Sequence, residues 1–134
     1  MLGDLLGEER GETTSMRVLP TDDGHPAMEV SFQAAGTLLN VAARDMGTYE
    51  SYVRADGTLY GEGQGITMGP NGETVTWRGQ GVGHFTDDGG VSWRGAIYYE
   101  TASTAFAELA GAVGVYEFET DAEGKVEAKV YAWK

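Results

Sequence analysis

The chain has 134 residues, enough for one domain with a proper hydrophobic core. It carries 21 acidic against 9 basic residues, a net charge of −12, which argues against nucleic acid and anionic membranes as partners, since both are bound through clustered Lys and Arg. With no cysteine there is no disulfide, thiolate or zinc-finger chemistry, and no apolar run reaches the length of a membrane span.

MLGDLLGEE is too short and too acidic for a secretory leader, so the expectation is a soluble cytoplasmic protein. Residues 1–7 are expected to fray or to form a short cap. Glu8 to Leu19 reads as extended, and Pro20 with Thr21-Asp22-Asp23-Gly24 as a turn. Ala27 to Ala35 alternates, with Met28, Val30, Phe32 and Ala34 on one side and Glu29, Ser31 and Gln33 on the other, the pattern of a half-buried strand. Gly36 marks a bend, and residues 37–44 read either as a continuation of the strand or as a looser crossing segment. MGTYESYVR is a further strand, closed by Ala55-Asp56-Gly57.

The stretch from Asp56 to Glu100 organises the rest. Gly69-Pro70-Asn71-Gly72 suits a type I turn, with proline presetting φ and Gly72 free to take the left-handed conformation. A three-residue hairpin loop of this kind sets Met68 opposite Thr74, Gln64 opposite Arg78, Gly65 opposite Trp77 and Gly61 opposite Gly81. Thr86-Asp87-Asp88-Gly89 supports the same turn, which sets Trp77 opposite Tyr99 and Gly83 opposite Trp93. Because side chains alternate across a strand, one face then carries Leu59, Val75, Trp77, Phe85, Val91, Trp93, Ile97 and Tyr99 around a field of glycines. The other carries Glu62, Gln64, Arg78, Gln80, His84, Arg94 and Glu100, with Tyr60, Ile66, Met68 and Tyr98 among them.

Gly61, Gly63, Gly65, Gly79, Gly81 and Gly83 form one aligned patch. Two readings stand: they let coiled strands bend and make room for the tryptophans, or they leave a cavity with indole walls. The first is preferred, because small-barrel interiors are filled by alternating small and large side chains.

Thr101 to Gly111 carries the helical signal, with Ser103 as N-cap and Gly111 as stop. AVGVYEFET and KVEAKVYAW form a last hairpin around Asp121-Ala122-Glu123-Gly124. Many short strands separated by Gly-containing turns define an all-β fold, here a single closed antiparallel barrel of about eight strands over residues 1–134, a meander with one short helix.

GEGQG, WRGQGVG, GAIYYETAS and AELAGAVGVYEFE resemble the allene oxide cyclase barrel superfamily, and most closely its small uncharacterised bacterial and archaeal members. Leu109-Ala110-Gly111-Ala112-Val113-Gly114 resembles that group's step into its penultimate strand, and the likeness spans roughly residues 45–134. It implies a calycin-like eight-stranded antiparallel barrel, often oligomeric, with a mostly apolar cavity. It carries over no activity.

The leading functional expectation is a barrel that binds a small hydrophobic or aromatic molecule through Leu59, Trp77, Phe85, Trp93 and Tyr99. A cyclase or isomerase is the alternative, with Glu62, Arg78, Tyr98 or Glu100 supplying polarisation from inside the cavity. That role needs the polar face inside; outside, where the more apolar opposite face places it, a Glu62–Arg78 ion pair is solvated and contributes little. A structural, homo-oligomer-forming barrel is the third reading. His25 and His84 stand apart without a triad or metal-ligand spacing, the Asp-Asp-Gly turns lack a calcium-loop pattern, and GEGQG lacks the lysine and helix of a phosphate loop. Neither a metal nor a cofactor is expected. The acidic, lysine-poor composition fits a halophile and an ordinary acidic bacterial protein equally well.

Overall fold

Turns with dictated dihedrals, joined by segments of two-residue alternation, fold this chain into a meander that closes on itself. The structure is a computed structural model and describes residues 2–134. Its strands are β1 (Leu2–Val18), β2 (Ala27–Leu38), β3 (Val41–Val53), β4 (Leu59–Met68), β5 (Thr74–Phe85), β6 (Val91–Glu100), β7 (Val113–Thr120) and β8 (Lys125–Trp133), with a 3₁₀ helix at Thr104–Gly111. Each strand pairs antiparallel with its sequence neighbour, and β1 pairs with β8 to close the barrel. Closure leaves no sheet edge to recruit another chain. Among the described residues no helix is long and apolar enough to cross a membrane.

The registers expected for β4–β6 are the registers observed. Gly65 faces Trp77, Gly61 faces Gly81 and Gln64 faces Arg78; Trp77 faces Tyr99 and Gly83 faces Trp93. Gly24, Gly57, Gly72, Gly89 and Gly124 all have positive φ, so each turn uses its glycine for the left-handed conformation. Asp23, Asp56, Asp88 and Asp121 each accept, through Oδ1, the backbone N–H two residues on. That is the turn-forming use of aspartate.

Two local expectations need correction. Residues 2–7 are not a frayed cap: β1 begins at Leu2, because its first half pairs with β8 (Gly7 with Val130, Leu5 with Tyr131). Met1 lies outside the described residues. Residues 37–44 are not a loose crossing either. Leu38 pairs with Val41 across a two-residue turn at Leu39 and Asn40, with φ of 50° and 63°. These positive values at both central positions are those of a type I′ hairpin, a turn ordinarily built from Asn and Gly.

The 3₁₀ helix plugs one end of the barrel. Phe106 and Leu109 are 0% exposed and pack on Leu38, Ala43 and Val75. Burying each such side chain contributes about 1.5–3 kcal/mol, which offsets the poorer hydrogen-bond geometry of a 3₁₀ turn. Ser103 does not cap the helix with its side chain; its Oγ accepts the Thr74 N–H at 3.0 Å and ties the helix to the β4–β5 turn. A second cluster fills the barrel below, built from Phe32, Ala34 and Val126 with Tyr49, Trp77 and Phe118.

Candidate functional site

Alternation on β5 and β6 turns Trp77, Trp93, Ile97 and Tyr99 inward. The same rule on β3 turns Ala43, Asp45, Gly47, Tyr49 and Ser51 inward, and on β1 it puts Gly7, Glu9 and Gly11 on the less exposed side. Two carboxyls thus enter a mostly apolar interior. They enclose, with the indoles and with Tyr99 and Tyr116, a cavity of about 100 Å³. That is the order of size at which an apolar void takes up a single small molecule.

Asp45 is only 7% exposed. Its Oδ1 accepts the Trp77 Nε1–H at 2.8 Å and the Thr67 hydroxyl at 3.1 Å. Glu9 meets Asp45 carboxyl to carboxyl, and its pKa is pushed up to about 10, first by burial, then by the charge of Asp45 and the hydrogen bond between them. Since Asp45 already has two donors, that hydrogen bond runs from a protonated Glu9. The arrangement is a proton-sharing acid pair.

Tyr99 faces the pair. Burial raises its pKa first, and the neighbouring carboxyls of Asp45 and then Glu9 raise it further. Burial also raises Tyr49 and Tyr116 to about 12, each helped by one neighbouring tyrosine. All three phenols therefore stay neutral donors at ordinary pH. None has a hydrogen-bond partner among the described residues, and no buried side-chain polar atom is sealed off without one, so these hydroxyls are open to the cavity. Below the pair, aromatic rings interlock: Phe32 and Phe118 meet edge to face at 5.1 Å, and Tyr49 meets Trp93 and Phe118 at 5.8 Å each.

The glycine patch serves these rings. A Cβ on Gly61 would lie 2.8 Å from Trp93, on Gly65 2.3 Å from Trp77, on Gly81 2.3 Å from Tyr116 Oη and on Gly83 2.9 Å from Trp93. Gly79 differs: a Cβ there would sit at ordinary van der Waals distance from its neighbours, 3.4 Å from Ala96 O and 3.7 Å from Tyr116, so a methyl fits without displacing them. Both readings of the patch hold: the glycines make room for the rings, and Gly61, Gly63 and Gly79 line the cavity beside them.

Of the residues singled out from sequence, Leu59, Trp77, Trp93 and Tyr99 point inward; Trp77, Trp93 and Tyr99 line the cavity, whereas Leu59 packs in the core without lining it. Phe85 does not: it is 58% exposed at the end of β5, beyond the enclosed volume. Glu62, Arg78, Tyr98 and Glu100 all have exposed side chains on the outer face, because strict alternation beside the inward indoles leaves them no other side. None of them can act from inside the barrel. Glu62 accepts a hydrogen bond from Tyr60 Oη at 3.0 Å rather than pairing with Arg78. Glu9 and Asp45 were the residues missed. The readable signal was an acid at an inward position of an alternating strand, and it was hidden by taking the flanking segments as cap and crossing. Among the described residues no group of three or more His, Asp or Glu is placed to hold a metal ion.

Fold and site together define a closed eight-stranded barrel with a small polar-headed cavity. No protein-family model and no curated protein matches the chain. Solved structures do. A β-barrel-like protein from Acinetobacter baumannii AYE is similar with a TM-score of 0.84 at 14% identity, covering 100% of this chain and 96% of that one. A protein of unknown function from Clostridium acetobutylicum ATCC 824 is similar at 0.83 and 14% identity, covering 96% of each chain. An enzyme from Penicillium herquei is similar at 0.65 and 13% identity, covering 98% of this chain and 96% of that one. At such identities the likeness is one of fold alone.

Proposed function

We propose that this barrel binds a small molecule with an apolar or aromatic body, held between Trp77, Trp93 and Tyr99 with its polar head on the Glu9–Asp45 pair. The observation that carries the reading is the cavity of about 100 Å³ that Trp77, Trp93 and Tyr99 line together with Glu9 and Asp45, left among rings that otherwise interlock. A filled barrel would occupy that volume with side chains. Titrating neutral aromatic and apolar compounds against tryptophan fluorescence tests it, since Trp77 and Trp93 both line the cavity. Saturable quenching or a spectral shift is expected; no response from any compound, with no shift in melting temperature, overturns the reading.

A second reading is favoured by the protonated Glu9: a carboxylic acid in a water-poor cavity can act as a general acid in an isomerisation or cyclisation. The Penicillium herquei protein being an enzyme is consistent with that use of the fold, as is the resemblance of the sequence to the allene oxide cyclase superfamily. A cytoplasmic location and self-association belong to the same proposal. Self-association draws support from Met46, Ile66 and Met68, which are exposed on the outer face at 50%, 48% and 37%, and sedimentation equilibrium tests it.

A further inference from the structure

We propose that the ligand of this cavity is an organic cation, a small primary or quaternary ammonium whose charge sits on the Glu9–Asp45 pair and whose body is walled by Trp77, Trp93, Tyr99 and Tyr116. The inference rests on the cavity being a binding site and adds the chemical class of what it takes.

Three independent features converge on a positive charge. No Lys, Arg or His lines the cavity, so the pair has no counter-ion among the described residues. Its donors are neutral, and two of them stand on one oxygen: Trp77 Nε1–H and Thr67 Oγ1–H share Asp45 Oδ1, and the remaining neighbour is the acid Glu9. A buried anion so partnered is costly, and an arriving cation removes the cost.

The walls are of the kind that ammonium groups prefer. Aromatic faces attract cations through the ring quadrupole, tryptophan most strongly, and cages of such rings recognise alkylated ammonium groups. Tyr49, Tyr99 and Tyr116 add hydroxyl oxygens that are free to accept from an ammonium N–H. The net charge of −12 raises the local concentration of small cations around the whole molecule.

A neutral ligand explains less of this. It would meet the aromatic walls equally well but leave the carboxylate uncompensated. The pair also makes a distinct prediction about protons. The titratable groups around the cavity are Glu9 on β1, Asp45 and Tyr49 on β3, Tyr99 on β6 and Tyr116 on β7, with the outward-pointing Glu8 and Glu62 at its margin. Burial holds the three phenols neutral, so Glu9 is the group from which a bound cation displaces a proton.

The test compares benzylammonium and tetramethylammonium with benzyl alcohol at constant ionic strength and pH 7, followed by tryptophan fluorescence and melting temperature. In the wild-type protein the ammonium probes should bind at least tenfold more tightly than the alcohol. Tetramethylammonium, whose charge is independent of pH, should bind more tightly at pH 9 than at pH 6. Asp45→Asn should lose the ammonium preference, so that the ammonium probes no longer bind more tightly than benzyl alcohol. If benzyl alcohol binds as well as the ammoniums, or if the order survives Asp45→Asn, the charge assignment falls while the cavity reading stands. If no probe binds at all, both fall. The wild-type comparison decides by itself should Asp45→Asn fail to fold.

Discussion

Trp77 Nε1 donates to Asp45 Oδ1 at 2.8 Å, so an indole placed inward by the alternation of β5 is also the group that orients a buried carboxylate on β3. Thr67, the partner of Val75 across β4–β5 and of Asp45 across β3–β4, supplies the second donor. Thr67→Val keeps the side-chain shape and deletes that donor. It should lower stability by about 1–3 kcal/mol, the usual consequence of depriving a buried charged acceptor. A urea melt of Thr67→Val matching wild type would show that Asp45 does not depend on this bond.

Stability should fall as pH rises, through Glu9. Its pKa goes from an ordinary 4.5 unfolded to about 10 folded, so folding takes up a proton between those values. The contribution is fully present below 4.5 and is lost progressively as pH climbs toward 10, by about 1.4 kcal/mol per pH unit. Glu9→Gln keeps a donor toward Asp45 and needs no proton. Its stability relative to wild type should therefore improve steadily from pH 5 to pH 9, and parallel pH profiles for the two proteins would contradict the assignment.

Gly81→Val should destabilise far more than Glu62→Ala. A Cβ at Gly81 would meet Tyr116 Oη at 2.3 Å and the Arg94 carbonyl at 2.8 Å, and backbone cannot step aside. Overpacking of this sort costs about 1–3 kcal/mol or more, whereas an exposed surface change usually stays within about 0.5 kcal/mol. Equal melting temperatures for the two variants would overturn the packing of this face.

Gly79→Ala should behave unlike its neighbours. Its methyl would contact nothing closer than 3.4 Å, so the fold should tolerate it within about 1 kcal/mol. The same methyl narrows the cavity. Fluorescence titrations should therefore show weakened probe binding in a protein that melts like wild type; unchanged binding would place the ligand elsewhere.

Salt should stabilise the barrel. Glu29, Glu50 and Glu62 stand in one cross-strand row over β2, β3 and β4, and Glu119 faces Glu127 across β7–β8. Like charges directly opposite repel, and among the described residues only Arg17, Arg10 and Arg94 form ion pairs with these sets, through exposed contacts with Glu29, Glu127 and Glu119. The Debye length shrinks from about 10 Å at 0.1 M salt to about 3 Å at 1 M. Melting temperature should rise over that range in sodium chloride, and a flat or falling series would remove the physical basis for reading the composition as halophilic.

What the sequence by itself determined is everything that depends on a few consecutive residues. Pro70 and Gly72 set one turn and Asp87-Asp88-Gly89 another; from those two turns the facing of Trp77 with Tyr99 and of Gly83 with Trp93 follows by counting, because side-chain direction has a period of two. What only the tertiary structure decided lies where distant strands meet. Leu39 is held at a φ of 50° because its N–H is fixed to Leu6 O at 2.8 Å and its side chain packs beside the plug, contacts that no local propensity encodes. The first residues of β1 form strand because β8 returns to pair with them. Glu9 and Asp45 read as two unrelated surface acids along the chain, and they become one buried pair only when barrel closure carries β1 and β3 to a shared interior. A carboxyl's chemistry is set by its dielectric surroundings and its neighbours rather than by the residues beside it in sequence.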